Sequence, residues 1–196
     1  MPFDYNDTLI GGNEDDSLDG GSSGNDSLIG GAGNDALFGS SRGDNTLSGG
    51  DGNDYLNTEE STEDNTLSGD AGYDYLSINY SRGNNTLSGD AGDDYLHAAR
   101  STGDNTLSGG DGNDDLNAYY SLGNNTLSGD AGNDTFIGGD GNDTLTGGSG
   151  NDSFTYSTDY AFNSRDTITD FHKVAGDTDK IALSKQTFTA IKLIDI

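Results

Sequence analysis

Cysteine is absent from the 196-residue chain, so no disulfide can brace it, although extracellular chains often rely on several. Apolar residues make up only 29%, against roughly 45–50% in ordinary globular chains. No apolar run is long enough for a membrane helix, and no N-terminal segment has the build of a signal peptide. Secretion would need another signal. Eight basic residues stand against 35 acidic ones, leaving a net charge of −27. Such a chain disfavours nucleic acid and anionic membranes as partners and attracts cations. Glutamate is scarce as well: Glu14, Glu59, Glu60 and Glu63 are the four, and the other 31 acids are aspartate. With no Glu closing a twelve-residue loop, an EF-hand is excluded. Composition alone describes an acidic disordered segment.

What is present is a register, which disorder does not need. Leu47 to Leu56 reads LSGGDGNDYL, and Leu107 to Leu116 reads LSGGDGNDDL. Related stretches run from Leu9 to Leu18, Leu28 to Leu37, Leu67 to Leu76, Leu87 to Leu96, Leu127 to Phe136 and Leu145 to Phe154, making eight copies. In each, the residue two before the closing apolar one is Asp: Asp16, Asp35, Asp54, Asp74, Asp94, Asp114, Asp134 and Asp152. Glycine permits a left-handed, tight turn whose carbonyls point inward. The candidates for those turns are Gly31, Gly33, Gly50, Gly52, Gly72, Gly92, Gly110, Gly112, Gly132, Gly148 and Gly150. The lone apolar residue between polar ones reads as the buried centre of a short strand. Asp supplies a hard oxygen, and carbonyls complete a Ca²⁺ shell. Asp side chains stacked roughly 5 Å apart repel by about 1–3 kcal/mol per pair unless cations intervene.

Residues 41–140 divide into five 20-residue units, each splitting into nine and eleven residues: Leu47 to Leu56, then Leu56 to Leu67. Two strands per coil predict two facing sheets, with eight rungs spanning roughly 35 Å. The nine-residue edge keeps its Asp throughout. The eleven-residue edge has Asp only at Asp7, Asp26 and Asp143, with Asn45, Asn65, Asn85, Asn105 and Asn125 between. An asparagine row can hydrogen-bond from rung to rung without metal, so this edge is expected to be calcium-free in its middle. Its two extra residues per coil are expected to bulge outward, and Pro2, Phe3 and Tyr5 to cover the first rung.

GGDGNDYL at 49–56, GGAGNDAL at 30–37 and GGSGNDSF at 147–154 closely resemble the calcium-binding nonapeptide of RTX proteins. The resemblance implies an all-β fold: a right-handed parallel β-roll, or two-sheet β-solenoid, of about eight coils with a C-terminal cap. The expected boundaries are 1–156 for the roll and 157–196 for a capping, secretion-type segment. There, DTITDFHKVAGDTDKIALS resembles the segment that follows the repeats in type I-secreted bacterial proteins. That family carries an uncleaved C-terminal export signal, which implies an extracellular protein. In the family the tail usually runs on well past the segment matching DKIALS; here it stops at Ile196, so either an incomplete export signal or a truncated chain is expected. Ile168, Phe171, Ile181, Leu183 and Phe188 are expected to cover the last rung.

The expected role is calcium binding that drives folding, with about seven to nine Ca²⁺ and a monomeric roll. No catalytic role is expected, because His97 and His172 lack a Ser or Cys partner in the pattern. The alternatives are an adhesive module that binds a glycan, ice or a cell surface, and the accessory domain of a secreted enzyme. Thr46-Leu47-Ser48 recurs in five units and predicts a hydroxyl grid, an ordinary exposed β face or an ice-binding plane as in some RTX-type adhesins. Tyr55, Tyr75 and Tyr95 predict an outward aromatic ladder or a sugar platform, with Tyr80, Tyr119 and Tyr120 nearby. Asp70, Asp90 and Asp130 replace a turn glycine and offer either further ligands or solvated charge.

Overall fold

Residues 5–156, 165–171 and 176–183 are described by the structure, a computed structural model. Among them there is no helix. Two nine-stranded sheets face each other, and neighbouring strands pair in parallel. One sheet holds the longer strands Thr8–Gly12, Ser27–Ala32, Thr46–Asp51, Thr66–Ala71, Thr86–Ala91, Thr106–Asp111, Thr126–Ala131 and Thr144–Ser149, closing on Thr167–Ile168. The other holds Ser17–Asp19, Ala36–Phe38, Tyr55–Asn57, Tyr75–Ser77, Tyr95–His97, Asp115–Asn117, Thr135–Ile137 and Ser153–Tyr156, closing on Lys180–Leu183. The chain alternates between them, forming a parallel β-roll.

Each strand commits one large apolar residue to the interior. Leu47 lies between Leu28 and Leu67, and Leu56 between Leu37 and Leu76. These leucines are fully buried. Towards the C-terminus leucine gives way to Phe136 and Phe154, whose rings stack with centroids 4.9 Å apart.

The eleven-residue edge does not simply bulge. It turns Ile78, Ala98 and Ala118 into the core and buries Ser61, Ser81, Ser101 and Ser121 beneath the turn. What it projects is Glu60, Tyr80, Arg100 and Tyr120, all left-handed at φ 59°, 62°, 58° and 59°.

The C-terminal segment adds strands as well as covering them. Thr167–Ile168 pairs with Leu145 through Ile168, and Ile181 sits beside Phe154, forming a ninth rung. Ile168 and Phe171 pack against the core, with the Phe171 ring 6.3 Å from that of Phe154. Leu183 remains 46% exposed and does not act as a lid. At the other end Tyr5 is exposed. Pro2, Phe3, Phe188 and His172 lie outside the described residues.

Rungs are tied by side chain-to-backbone bonds that run both ways. Asp54 Oδ1 accepts the N–H of Asp35 in the preceding rung (2.7 Å), while Asn53 Oδ1 accepts the N–H of Tyr73 in the following one (2.9 Å). The eleven-residue edge repeats this: Asn85 Oδ1 accepts from Asn65 N (2.9 Å) and Asn84 Oδ1 from Asp104 N (2.8 Å). The paired Asn-Asp, Asp-Asn and Asn-Asn steps of the repeat are therefore one acceptor facing each neighbour. Asn85→Ala removes the acceptor of a buried N–H and three donor contacts of Nδ2. It should cost about 1–3 kcal/mol, measurable as a lowered denaturation midpoint of the folded chain.

Candidate metal centre

The nine-residue turns repeat one construction. Gly50 and Gly52 have left-handed backbones, φ +112° and +138°. A Cβ on Gly52 would strike the carbonyl oxygen of Gly33, and one on Gly92 that of Gly72. Carbonyls of successive turns are thus stacked against glycines that leave them room. The predicted turn glycines from Gly31 to Gly150 all share this left-handed geometry.

Beside the carbonyls lies the aspartate row. Each Oδ1 is used: the bond from Asp35 N to Asp54 is followed by Asp54 N to Asp74 (2.7 Å), Asp74 N to Asp94 (2.8 Å), Asp94 N to Asp114 (2.8 Å) and Asp114 N to Asp134 (2.8 Å). Each Oδ2 is not. In Asp35, Asp54, Asp74, Asp94, Asp114 and Asp134 this oxygen is buried without a hydrogen-bond partner. It points at the first glycine of its own turn. A Cβ built on Gly30 would collide with Asp35 Oδ2 and lie 2.6 Å from the carbonyl oxygen of Gly49 in the next rung. Gly89 repeats this with Asp94 and the Gly109 oxygen (2.6 Å), and Gly129 with Asp134 and the Gly147 oxygen (2.6 Å). Two acceptors therefore converge on a space the size of a missing methyl group. Gly30, Gly49, Gly69, Gly89, Gly109, Gly129 and Gly147 form its floor. Sequence reasoning overlooked them, although their signal was the invariant glycine two residues after the long-strand leucine.

Electrostatics reports the same frustration. Burial pushes Asp74 and Asp134 up to about 7; the N–H from the preceding rung pulls back, and neighbouring aspartates push further. Burial likewise raises Asp94 and Asp114 to about 6, and raises Asp54 and Asp152. Among the described residues no three His, Asp or Glu side chains gather in a metal-holding group. The donor set is instead one carboxylate per rung with backbone carbonyls, all oxygen, which suits a hard cation such as Ca²⁺.

The opposite edge resolves the same problem with nitrogen. Asn85 Nδ2, where aspartate has Oδ2, donates to Gly83 O (2.7 Å), Ser81 Oγ (3.1 Å) and Asn105 Oδ1 (3.1 Å). Asn45, Asn65, Asn105 and Asn125 continue this ladder. At its ends the acceptor problem returns: Asp26 Oδ2 and Asp143 Oδ2 are buried without partners. Asp7 N donates to Asp26 Oδ1 at 2.9 Å.

Both rows run on into the C-terminal segment. Asp143 N donates to Asp166 Oδ1 (3.1 Å), and Asp152 N to Asp179 Oδ1 (3.2 Å). Burial raises Asp143 to about 7 and Asp166 to about 6. Asp166 and Asp179 were missed by the sequence reading. The signal was there, because each stands two residues before an apolar one, Ile168 and Ile181. Asp170 closes the end, accepting from Gly147 N (2.9 Å) and Gly148 N (2.8 Å).

The other surfaces differ from expectation. Asp70, Asp90 and Asp130 are left-handed at φ 72° and accept the hydroxyls of Ser48 (2.6 Å), Ser68 (2.7 Å) and Ser108 (2.9 Å). These serines are thus turned to carboxylates rather than forming a free hydroxyl grid with the threonines. The tyrosine ladder stops after two rungs: Tyr55 and Tyr75 stack at 5.3 Å and 7°, but His97 then meets Tyr75, its Nδ1 3.1 Å from the phenol oxygen. Tyr95 turns to Tyr73 instead, at 5.4 Å. Ring faces packed on each other leave no flat platform. His97, for which the repeat pattern offers no Ser or Cys partner, is half-buried, and that burial lowers its pKa.

A family model, the RTX calcium-binding nonapeptide repeat, matches residues 3–23, 21–41, 40–60, 61–77, 81–100, 101–118 and 119–154. No curated protein matches the chain. With the model covering most of the chain and the geometry that of a parallel roll edged by oxygen donors, the chain belongs to the RTX family, and its β-roll binds calcium.

Proposed function

We propose that this is a secreted module whose roll assembles only as calcium fills the gaps of the nine-residue edge. The observation that carries the reading is the row of buried, unpartnered Oδ2 atoms from Asp35 to Asp134, with a carbonyl oxygen of the next rung beside those of Asp35, Asp54, Asp94 and Asp134. Without a cation this arrangement buries partial and full negative charge against itself, which folding disfavours. Calcium, when bound, supplies the positive charge that the carboxylate oxygen lacks. The chain's own part is to hold Oδ1 by the neighbour's N–H, so that Oδ2 stays aimed into the gap, and to keep a side chain out of that gap by using glycine. Binding free energy then becomes folding free energy.

The proposed ligands are Asp16, Asp35, Asp54, Asp74, Asp94, Asp114, Asp134 and Asp152, now joined by Asp179, with carbonyls from the turn glycines. Eight rung-to-rung aspartate contacts define as many gaps. The pairs Asp7–Asp26 and Asp143–Asp166 offer one more at each end of the other edge. Outside cells, where calcium is millimolar, the roll would be folded; in a low-calcium cytosol the chain would remain extended enough for export. The tail's resemblance to type I-secreted proteins supports that location.

Calorimetry or native mass spectrometry should count about eight to ten bound ions, fewer than five being incompatible with shared gaps. Asp94→Ala should remove two adjacent ions, since its turn faces both neighbours, whereas Asn85→Ala should remove none. In excess chelator near neutral pH, the far-UV spectrum should be that of an unfolded chain; full β structure there would refute coupled folding. Acid should reverse the usual order. The raised carboxylate pKa values favour a protonated folded roll, a contribution present below about 4 and lost as pH rises through about 6–7. The chelated chain should therefore gain β structure on going from about pH 8 to about pH 5. Over the same range the calcium-loaded chain should need more calcium, because protons compete for the same oxygens.

A further inference from the structure

At Ser61, Ser81 and Ser101 the eleven-residue edge projects exposed residues on both sides of a buried serine. Around Ser81 and Ser101 these form a shallow depression lined by Glu60, Tyr80, Arg82, Arg100 and Thr102. Between residues 5 and 156 the chain has three basic residues, Arg42, Arg82 and Arg100, and two of them line this one depression. In a protein of net charge −27 each would be expected to find a carboxylate. Among the described residues neither does. Arg100 lies instead between two rings, its guanidinium carbon 5.5 Å from the centroids of Tyr80 and Tyr120. One N–H is spent on Tyr80 Oη, at 2.8 Å. The sandwich fixes the plane of the guanidinium and leaves its other donors unused by the protein. Tyr80 and Arg100 are held outward by left-handed backbones, a conformation bulky side chains rarely adopt.

We propose that this depression is a binding site for a saccharide bearing a single carboxylate. A pre-oriented guanidinium with a second one beside it matches the two oxygens of a carboxylate. Thr102, Glu60 and the Tyr80 hydroxyl offer the mixed donors and acceptors that sugar hydroxyls need. Glu60 and the surrounding negative field oppose a polyanion, so nucleic acid and phosphate-dense surfaces are selected against. Because the ring faces are occupied by Arg100, recognition is by hydrogen bonds rather than by stacking. Calcium enters only by folding the roll, so a failed saccharide test with intact calcium occupancy leaves the calcium reading untouched.

The test is a calorimetric titration of the calcium-loaded full chain with sialyllactose, with lactose and with sodium sulfate, at matched ionic strength. Sialyllactose should bind at least tenfold more tightly than either control. Arg82→Gln should weaken it tenfold or more, and Arg100→Lys, which keeps the charge but loses the fork, should weaken it measurably. Arg42→Gln, two rungs from Arg82 and outside the lining of the depression, should not, and calcium occupancy should be unchanged throughout. Should Arg100 variants fail to fold, Arg82→Gln still decides, since no hydrogen bond or ring contact of its side chain supports the roll. Equal binding of lactose or sulfate, equal weakening by Arg42→Gln, no detectable sialyllactose binding, or preferential capture by phosphatidylserine vesicles would each overturn the proposal.

Discussion

Acceptor set against acceptor is the constraint on which this molecule turns. From Asp35 to Asp134 the nine-residue turns bury a carboxylate oxygen without a hydrogen-bond donor, and at Asp35, Asp54, Asp94 and Asp134 a carbonyl oxygen of the next rung lies close by. The eleven-residue edge shows what happens when the same backbone frame carries an amide: Asn85 presents hydrogens where Asp94 presents a lone pair, and the gap closes on itself. Oxygen or nitrogen at one atom thus separates an edge that stands alone from one that waits for a cation.

The thin core explains why the edges matter so much. One leucine or phenylalanine per strand fills the interior, and burying each contributes only about 1.5–3 kcal/mol. Cohesion between rungs therefore depends heavily on the parallel ladders and on the opposed pairs of Asx bonds. Those bonds also orient the carboxylates: because Oδ1 is pinned by the neighbour's N–H, Oδ2 is directed at the first glycine of its own turn. Structure and site are built from the same atoms, so the aspartate row cannot be altered without loosening the stack.

Most of this was legible in the sequence because a strict period makes each residue's neighbours known. Leu47 must stack on Leu67, and Asp54 on Asp74, once the 20-residue spacing is seen. Three things were not. The ninth rung was hidden because Asp166 and Asp179 follow their partners by 23 and 27 residues, and no glycine pair announces their turns. The glycine floor at Gly49 and its equivalents was hidden because those glycines are not left-handed; their need arises from a carboxylate that only the folded turn brings near. The fate of Ser48 and Ser68 depended on where Asp70 and Asp90 reach across to the preceding strand, which a one-dimensional pattern does not show.

The pairing of each rung with its immediate neighbours alone has a consequence for how such a chain can change over generations. Duplicating or deleting one 20-residue block leaves every remaining interface as it was, since the block's two faces already match. Length is then a variable that recombination between near-identical blocks can adjust without passing through a misfolded intermediate form. The recurrence of NTLSG at Asn45, Asn65, Asn85, Asn105 and Asn125 is what makes the blocks interchangeable in this way. The two ends, where the spacing departs from the period and, at the C-terminal one, Phe replaces Leu, are the parts that copying cannot supply.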